Sequence, residues 1–244
     1  MKIVTTTVGC KGPDDRTHNQ ERFAVATRAL EKASNLDGDL LALPAGLFTA
    51  SNNQERESIA QSLIGTAKQV GIAVVFGVDQ VMNNLDTGIS WQIQTSDLPL
   101  YGYAWTPLEN IIHCWAQRST NSADQRLVPS ENCQERRLLK VGDEHIALLM
   151  CGEIFNQRIR QVLRDYQPKV VVDIAHIGSG FRVFQGMKVL AKGVDGLPSV
   201  CSVHVQSQNA MKYCYVPPGN CRSSRVTDGY VFGPPRIELK SWTF

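Results

Sequence analysis

Short apolar segments alternate with amphipathic helical segments along the chain, and this alternation constrains the fold more than any other feature. The apolar, strand-like runs occupy residues 3–8, 39–43, 72–78, 146–150, 170–174 and 199–205. Helical periodicity occupies residues 19–33, 51–70, 159–166 and 183–192. Because fully apolar strands need cover on both faces, the pattern predicts an α/β fold in which two mixed sheets pack together with helices outside.

Local patterns add detail to this prediction. Residues 19–33 place apolar side chains at the spacing of one helix face. Ser51 followed by Gln54 resembles a capping box, which predicts the start of the second helix. Between residues 82 and 116, apolar and polar residues alternate, and this period predicts an antiparallel hairpin.

The composition is that of an ordinary soluble globular protein, with 43% apolar and 20% charged residues among 244. A chain of this length forms one large domain or two small ones. The formal net charge of +2 is too small to predict nucleic acid or an anionic membrane surface as a partner. No apolar stretch approaches the roughly 20 residues that span a bilayer, so no membrane association is expected.

Cysteine usage and the N-terminal residues indicate the compartment. The seven cysteines are odd in number, scattered, and contain no CxxC pair. This pattern argues against a disulfide framework and against a structural zinc site. Residues 1–8 are β-branched and lack the apolar block of a signal peptide, so we expect them to form the first strand. Together these features predict a cytoplasmic protein.

The segment from Ile146 to Asn156 holds the residues best suited to chemistry. A buried strand ends at Cys151, Gly152 permits a tight turn, and Asn156 can cap a following helix. A thiol at such a strand-to-helix turn lies above the sheet edge, where helix amides favour the thiolate and bind an oxyanion. The alternative interpretation is that Cys151 is a small buried hydrophobic residue.

This segment resembles the nucleophile elbow of the nitrilase, or carbon–nitrogen hydrolase, superfamily, whose strand–Cys–x–Glu–helix turn it matches at Cys151 and Glu153. The segments 39–48, 67–78, 109–118, 168–174, 181–192 and 199–209 also resemble the family, in the same order. The resemblance covers nearly the whole chain. It implies a four-layer α-β-β-α sandwich with mixed sheets, built from a single domain over residues 1–244 and paired as a homodimer.

The resemblance also implies a chemistry based on a Glu–Lys–Cys triad, in which Cys151 matches the nucleophile. A carboxylate takes the thiol proton, and the thiolate attacks a nitrile or amide carbon. A lysine and a backbone amide stabilise the oxyanion before water hydrolyses the thioester. The implied ligand is a small amide or nitrile. No cofactor and no metal are implied, because this chemistry uses side chains alone.

Two of the three triad positions differ from the family pattern. The family's base glutamate directly follows a strand-terminal proline, and here Pro44 is followed by Ala45, which cannot accept a proton. The family's lysine ends the hairpin, and here the matching residue is Gln117 or Arg118. Arg118 brings positive charge to an oxyanion through a planar guanidinium, whereas Gln117 donates only a neutral hydrogen bond.

Two residues elsewhere are candidates for the missing base. Glu131 matches a further carboxylate that many family members carry near the site, and His176 follows a strand expected to end beside Cys151. An imidazole beside a thiol generates thiolate at neutral pH. The alternatives are a solvated loop acid for Glu131 and a strand-end hydrogen bond for His176. Glu153 is expected to fix the turn rather than to transfer protons.

Three interpretations of the whole pattern follow. In the first, the protein is a carbon–nitrogen hydrolase-like enzyme that uses Cys151, Arg118 and either Glu131 or His176. In the second, it is an inactive nitrilase-like protein that binds a ligand or a protein partner. A positioned acid–base group contributes about 10²–10⁴ in rate, so the loss of both the glutamate and the lysine without replacement leaves little turnover. The third is an unrelated α/β protein that shares only an apolar strand and a cysteine.

Overall fold

The computed structural model describes residues 1–9, 19–80, 100–117, 137–175, 197–205, 225–226, 231–232 and 236–244. Within these ranges the helices are α1 (Asn19–Asn35), α2 (Asn53–Val70) and α3 (Gln157–Tyr166), with a 3-10 turn at Cys151–Phe155. The strands are β1 (Lys2–Gly9), β2 (Leu40–Ala42), β3 (Phe48–Ala50), β4 (Ala73–Gln80), β5 (Leu100–Trp105), β6 (Ile112–Ala116), β7 (Leu138–Val141), β8 (Glu144–Met150), β9 (Val170–Ala175), β10 (Ser199–Val205), β11 (Arg225–Val226), β12 (Val231–Phe232) and β13 (Arg236–Thr243). Each apolar run predicted as a strand forms one, and the helix predicted at 183–192 lies outside the described residues.

The strands in the described part of the chain form one hydrogen-bonded sheet of 13 strands with mixed directions. Its main path runs β6-β5-β4-β2-β1-β10-β9-β8-β7. The strands from β4 to β8 along this path pair in parallel, and antiparallel hairpins lie at its two ends. The β5–β6 pair confirms the described part of the predicted hairpin, and residues 81–99 lie outside the described ranges.

Strand β1 is the point at which the sheet divides into two halves. One edge of β1 pairs with β13 along residues 2–9. Along its other edge, residues 3–5 pair with β2 and residues 7–9 pair with β10. At the division, the hydroxyls of Thr6 and Ser202 both donate to the Ala42 carbonyl, at 2.9 and 2.6 Å. These side-chain bonds satisfy backbone groups where the strand ladders separate.

Among the described residues, three apolar clusters fill the spaces between the layers. The first includes Leu30 and Phe76 and lies between helices α1 and α2 and the strands β1, β2, β4 and β5. The second includes Val75 and Met150 and lies between the two halves of the sheet. The third includes Leu163 and lies between α3 and the strands β8 and β9. The order of layers is therefore α, β, β, α, which confirms the predicted fold class, with both sheets joined through β1.

Helix α2 begins one residue later than the sequence pattern predicts. The capping box expected at Ser51 is wrong, because the N-cap is Asn52, whose side chain accepts the Glu55 backbone N–H at 2.8 Å. Ser51 instead donates its backbone N–H and its hydroxyl to the Glu55 carboxylate. No helix within the described ranges combines the length and the apolar content that crossing a membrane requires.

Strand β13 is not revealed by apolar runs, because its buried residues Ile237 and Leu239 alternate with half-buried charged ones. It pairs with β1 of the same chain. The Trp242 indole N–H donates to the Thr5 hydroxyl at 2.9 Å. Strand β13 therefore joins the sheet of its own chain, and Trp242 packs between the two halves of the sheet.

Candidate active site

Cys151 directly follows β8 and adopts a left-handed backbone conformation with a φ of 52°. A left-handed conformation costs a non-glycine residue about 1–3 kcal/mol. The expectation that Gly152 makes the turn needs correction, because the positive φ belongs to Cys151 and not to Gly152. Cys151 is also only half-buried, which favours an accessible thiol over a sealed hydrophobic cysteine.

The buried side chain of Glu153 stabilises this turn. Its side chain is completely buried, and its Oε2 accepts the Met150 backbone N–H at 2.9 Å. Arg137, which is also buried, binds the two oxygens of the same carboxylate at 2.7 and 2.9 Å. Two parallel charge-assisted hydrogen bonds hold this pair in one geometry. Glu153 therefore fixes the turn, as predicted, and its charge is matched by Arg137.

Asn156 connects the turn to helix α3. Its Oδ1 accepts the backbone N–H groups of Arg158 and Ile159, at 3.0 and 3.2 Å. These are two of the donors that the first turn of a helix leaves without partners. The capping role predicted for Asn156 is confirmed, and it sets the distance between Cys151 and the start of the helix.

Asp173 lies beneath the same turn, on β9, opposite Leu149 and Cys201 in the strand register. Its side chain is completely buried, and its Oδ1 has no hydrogen-bond partner. The Cys201 thiol lies 3.9 Å from its Oδ2. Burial raises the pKa of Asp173 well above the ordinary aspartate value, the charge of Glu153 raises it further, and the hydrogen bonds act in the opposite direction.

Gln117 reaches the elbow from the other half of the sheet. Its backbone N–H donates to the Leu100 carbonyl at 2.7 Å, which extends the β5–β6 hairpin by one residue. Its side-chain Nε2 donates to the Met150 carbonyl at 3.3 Å, in the peptide that leads into Cys151. Of the two residues considered for the lysine position, Gln117 therefore contacts the elbow, and Arg118 lies outside the described residues.

Ala45 occupies the position that the family resemblance assigns to the base. It is completely buried in the cluster between the sheet halves, together with Met150 and Trp115. It packs closely on β4, because a Cβ added at Gly77 would lie 2.6 Å from the Ala45 Cα. A methyl group accepts no proton, so any base for the thiol has to come from another residue.

Trp115 packs against the backbone of the neighbouring strand. A Cβ added at Gly102 would lie 2.4 Å from its ring, so the ring occupies the space that this glycine leaves. Trp115 and Gln117 are two residues apart and point to the same side of the hairpin. The indole therefore forms part of the apolar surroundings of the elbow.

The other predicted catalytic residues, Arg118, Glu131 and His176, lie outside the described residues, so their roles stay predictions. Within the described part of the chain, no group of three or more His, Cys, Asp or Glu side chains could hold a metal ion. The described cysteines, Cys114, Cys151 and Cys201, are not in disulfide bonds.

The described residues thus combine a half-buried thiol, a neutral amide donor and a buried ion pair at one turn. This set suits a nucleophile attacking an uncharged carbon centre. The sequence reasoning missed Arg137 and Asp173. A usable signal exists for Asp173, because an aspartate inside the apolar run 170–174 is buried with its strand and needs hydrogen-bond partners there.

No family model and no curated protein matches the sequence. Among solved structures, the chain is similar to an amidase from Nesterenkonia sp. AN1, at 13% identity and a TM-score of 0.63, over 100% of this chain and 92% of that chain. A cysteine-to-alanine variant of the Nesterenkonia AN1 amidase, described as a member of the nitrilase superfamily, matches at 14% identity and a TM-score of 0.58, over 84% and 76% of the two chains.

A third similar structure is a glutamate-to-glutamine variant of the same amidase, at 15% identity and a TM-score of 0.59, over 84% of this chain and 76% of that chain. Identities this low establish the fold alone. The chain therefore has the fold of nitrilase-superfamily amidases, as the resemblance implied. Because one fold supports many functions, the activity depends on the residues of the site.

Proposed function

We propose that this protein is a carbon–nitrogen hydrolase-like protein in which Cys151 attacks the carbon of an amide or a related C–N bond. The observation that carries the proposal is the left-handed, half-buried Cys151 at the end of β8. Backbone strain of this kind persists only where the surrounding structure holds it, and it is concentrated at functional sites. Here the hydrogen bonds of Glu153 and Asn156 supply that support.

In the proposed reaction, a base takes the thiol proton of Cys151, and the sulfur adds to the carbonyl carbon. The carbonyl oxygen becomes an oxyanion, for which Gln117 serves as a neutral donor in place of the lysine. Collapse of this intermediate breaks the C–N bond, the protonated amine leaves, and a thioester remains. Water then hydrolyses the thioester and restores the thiol.

The base and any cationic partner are proposed from the sequence. Glu131 or His176 takes the thiol proton, and Arg118 brings positive charge to the oxyanion. A lost oxyanion donor typically lowers kcat by about 10²–10³. If Gln117 acts without Arg118, we therefore expect turnover well below that of an enzyme with the complete triad.

The structural neighbours support a reactive thiol without the carboxylate. In the glutamate-to-glutamine variant of the Nesterenkonia amidase, the acetamide moiety of fluoroacetamide is covalently added at the active-site cysteine. The same addition occurs when that glutamate is replaced by leucine. We infer that Cys151, although the family position of the base is Ala45 here, can react with the same probe.

A second candidate function is a catalytically inactive protein that keeps the site to bind a small amide- or nitrile-like ligand or a protein partner. The specific observation in its favour is Ala45, which is completely buried in apolar contacts where the resemblance expects a base. The neutral Gln117 at the elbow favours the same interpretation. The two candidates differ in product release and not in ligand binding.

Release of ammonia or amine from a panel of short amides, N-carbamoyl compounds and nitriles tests the proposal. We expect release by the wild-type protein and by C114A, which removes an exposed thiol, and no release by C151A. Ligand-induced stabilisation without release from any compound would favour the binding protein. Release that persists in C151A would contradict both candidates.

We also propose that the protein is a cytoplasmic homodimer. The described cysteines are not in disulfide bonds, which is compatible with a reducing compartment. Sedimentation equilibrium should return twice the chain mass of 27.0 kDa. A mass equal to one chain at micromolar concentration would contradict the dimer.

A further inference from the structure

The indole N–H of Trp115 is a buried donor that has no acceptor among the described residues. Trp115 is 6% exposed, and its Nε1 has no hydrogen-bond partner within the described ranges. In the two other described tryptophans the same atom is bonded. Trp105 donates to Asn110 Oδ1 at 3.3 Å, and Trp242 donates to the Thr5 hydroxyl at 2.9 Å. Because an unsatisfied buried donor is costly and uncommon, the N–H of Trp115 needs an acceptor.

Two glycines place this indole beside Ala45. Gly102 and Gly77 pair directly between β5 and β4, so the side-chain positions that both leave empty face the same layer. The Trp115 ring covers Gly102, because a Cβ added there would lie 2.4 Å from the ring. The Ala45 Cα covers Gly77, at 2.6 Å from a Cβ added there. The indole and Ala45 are therefore neighbours in the apolar cluster between the two halves of the sheet.

The same layer extends to the elbow. Gln117 lies two residues after Trp115 on the same side of the hairpin, and its Nε2 donates to the Met150 carbonyl at 3.3 Å. Met150 belongs to the same cluster as the indole and directly precedes Cys151. Gln117 and Cys151 are half-buried. A small ligand that enters past the thiol therefore approaches the indole.

The chemistry of this position differs from the one that the family resemblance implies. A carboxylate at the position of Ala45 would accept hydrogen bonds from a ligand. Here a methyl group takes its place, and the indole beside it can only donate. A buried donor selects ligands that supply an acceptor, because a ligand without one leaves the donor unpaired. The position therefore favours a ligand oxygen over a ligand N–H group.

We propose that Trp115 is a ligand-binding residue whose indole N–H donates to the carbonyl oxygen of the amide that Cys151 attacks. The inference rests on the proposed function, because it takes the amide ligand from there and names the group that recognises its oxygen. Together with Gln117, the indole gives the carbonyl oxygen two neutral donors in place of one lysine. The ligand oxygen then satisfies the N–H that the described protein groups leave unpaired.

Calorimetric titration with acetamide measures binding without turnover if both proteins carry C151S. W115F removes the N–H and keeps an apolar ring. We expect the Kd of acetamide to be about three- to tenfold higher for C151S/W115F than for C151S, the effect of one neutral hydrogen bond. The matched control is W242F, which removes the same atoms from an indole already bonded to Thr5. C151S/W242F should bind acetamide as C151S does.

Thioacetamide separates the hydrogen bond from packing. It has nearly the shape of acetamide, but its sulfur is a weak acceptor, so W115F should change its Kd by less than about twofold. Should W115F fail to fold, as judged by circular dichroism, W115L takes its place, because it also lacks the N–H. The expected difference between the two ligands is the same.

Three results would overturn the proposal. The first is an equal Kd of acetamide for C151S and C151S/W115F. The second is an equal loss of affinity for acetamide and thioacetamide, which would assign the effect of Trp115 to packing. The third is the absence of acetamide binding to C151S, because the indole then has no such ligand. Failure of the proposed function appears separately, as binding that depends on Trp115 without product release by the wild-type protein.

Discussion

Replacing Asp173 by asparagine should change how the free energy of unfolding depends on pH. In the folded protein, burial, followed by the charge of Glu153, raises the pKa of Asp173 well above its ordinary value of 3.8. In the unfolded chain, the same side chain loses its proton near that ordinary value. Between these two pKa values, the native state binds one proton more than the unfolded state.

The sign and size of the effect follow from this difference. A group with a raised native pKa contributes its full stability below the unfolded pKa, and loses it as the pH rises towards the native pKa. Each pH unit in that window lowers the free energy of unfolding by about 1.4 kcal/mol. D173N has no such proton to lose. Relative to wild type, its free energy of unfolding should therefore rise by about 1.4 kcal/mol per pH unit above about pH 4.

Urea unfolding of both proteins, followed by tryptophan fluorescence from about pH 3 to about pH 8, measures this difference. The buried Trp242 should report the loss of packing between the layers. Groups that titrate alike in the two proteins cancel in the comparison. A difference that stays flat over the whole range would refute a protonated Asp173. A difference that falls with pH would show that Asp173 is ionised in the fold, with a lowered pKa.

Two further predictions concern stability measured by urea unfolding. R137L leaves the buried Glu153 carboxylate without a cation, so we expect a loss of about 3–5 kcal/mol, and a loss below about 1 kcal/mol would contradict the buried pair. G102A places a methyl group 2.4 Å from the Trp115 ring and should cost about 1–3 kcal/mol. Its control is G65A in helix α2, where nothing lies within 4 Å of the added methyl, and which should stabilise by about 0.5–1 kcal/mol. Equal effects of the two alanines would contradict the close packing of Trp115.

The six strands β1, β2, β4, β8, β9 and β10 could be predicted, because burial on both faces makes their sequences largely apolar. The division of the sheet at Thr6 could not, because it depends on Ser202 and Ala42, which lie 196 and 36 residues away in sequence. The N-cap residue of α2 could not be predicted from the local sequence either. Ser51 and Asn52 are both favourable N-cap residues. The Glu55 carboxylate accepts the Ser51 backbone N–H, whereas the Glu55 backbone N–H donates to the Asn52 side chain.

The site could be predicted where the pattern is local. The strand, the thiol and the cap at Asn156 follow one another in sequence, and the structure keeps them together. The contact between Gln117 and Met150 forms only when one half of the sheet folds over the other. Asp173 likewise lies opposite Leu149, two residues before Cys151, only once β9 pairs with β8. Periodicity reports which face a residue lies on, but not which distant group it meets there.

Addition of fluoroacetamide distinguishes a built site from an accessible thiol. The sulfur forms a bond to the carbon that carries fluorine, and fluoride leaves. Ordinary thiols displace fluoride slowly. The reaction therefore requires a thiolate held beside the bound carbonyl group of the probe. Peptide mapping should find the acetamide group on Cys151, no modification of the exposed Cys114, and no adduct at that position in C151S. Modification of Cys114 at least as fast as that of Cys151, or no adduct at Cys151 at any pH, would contradict a nucleophilic elbow in this protein.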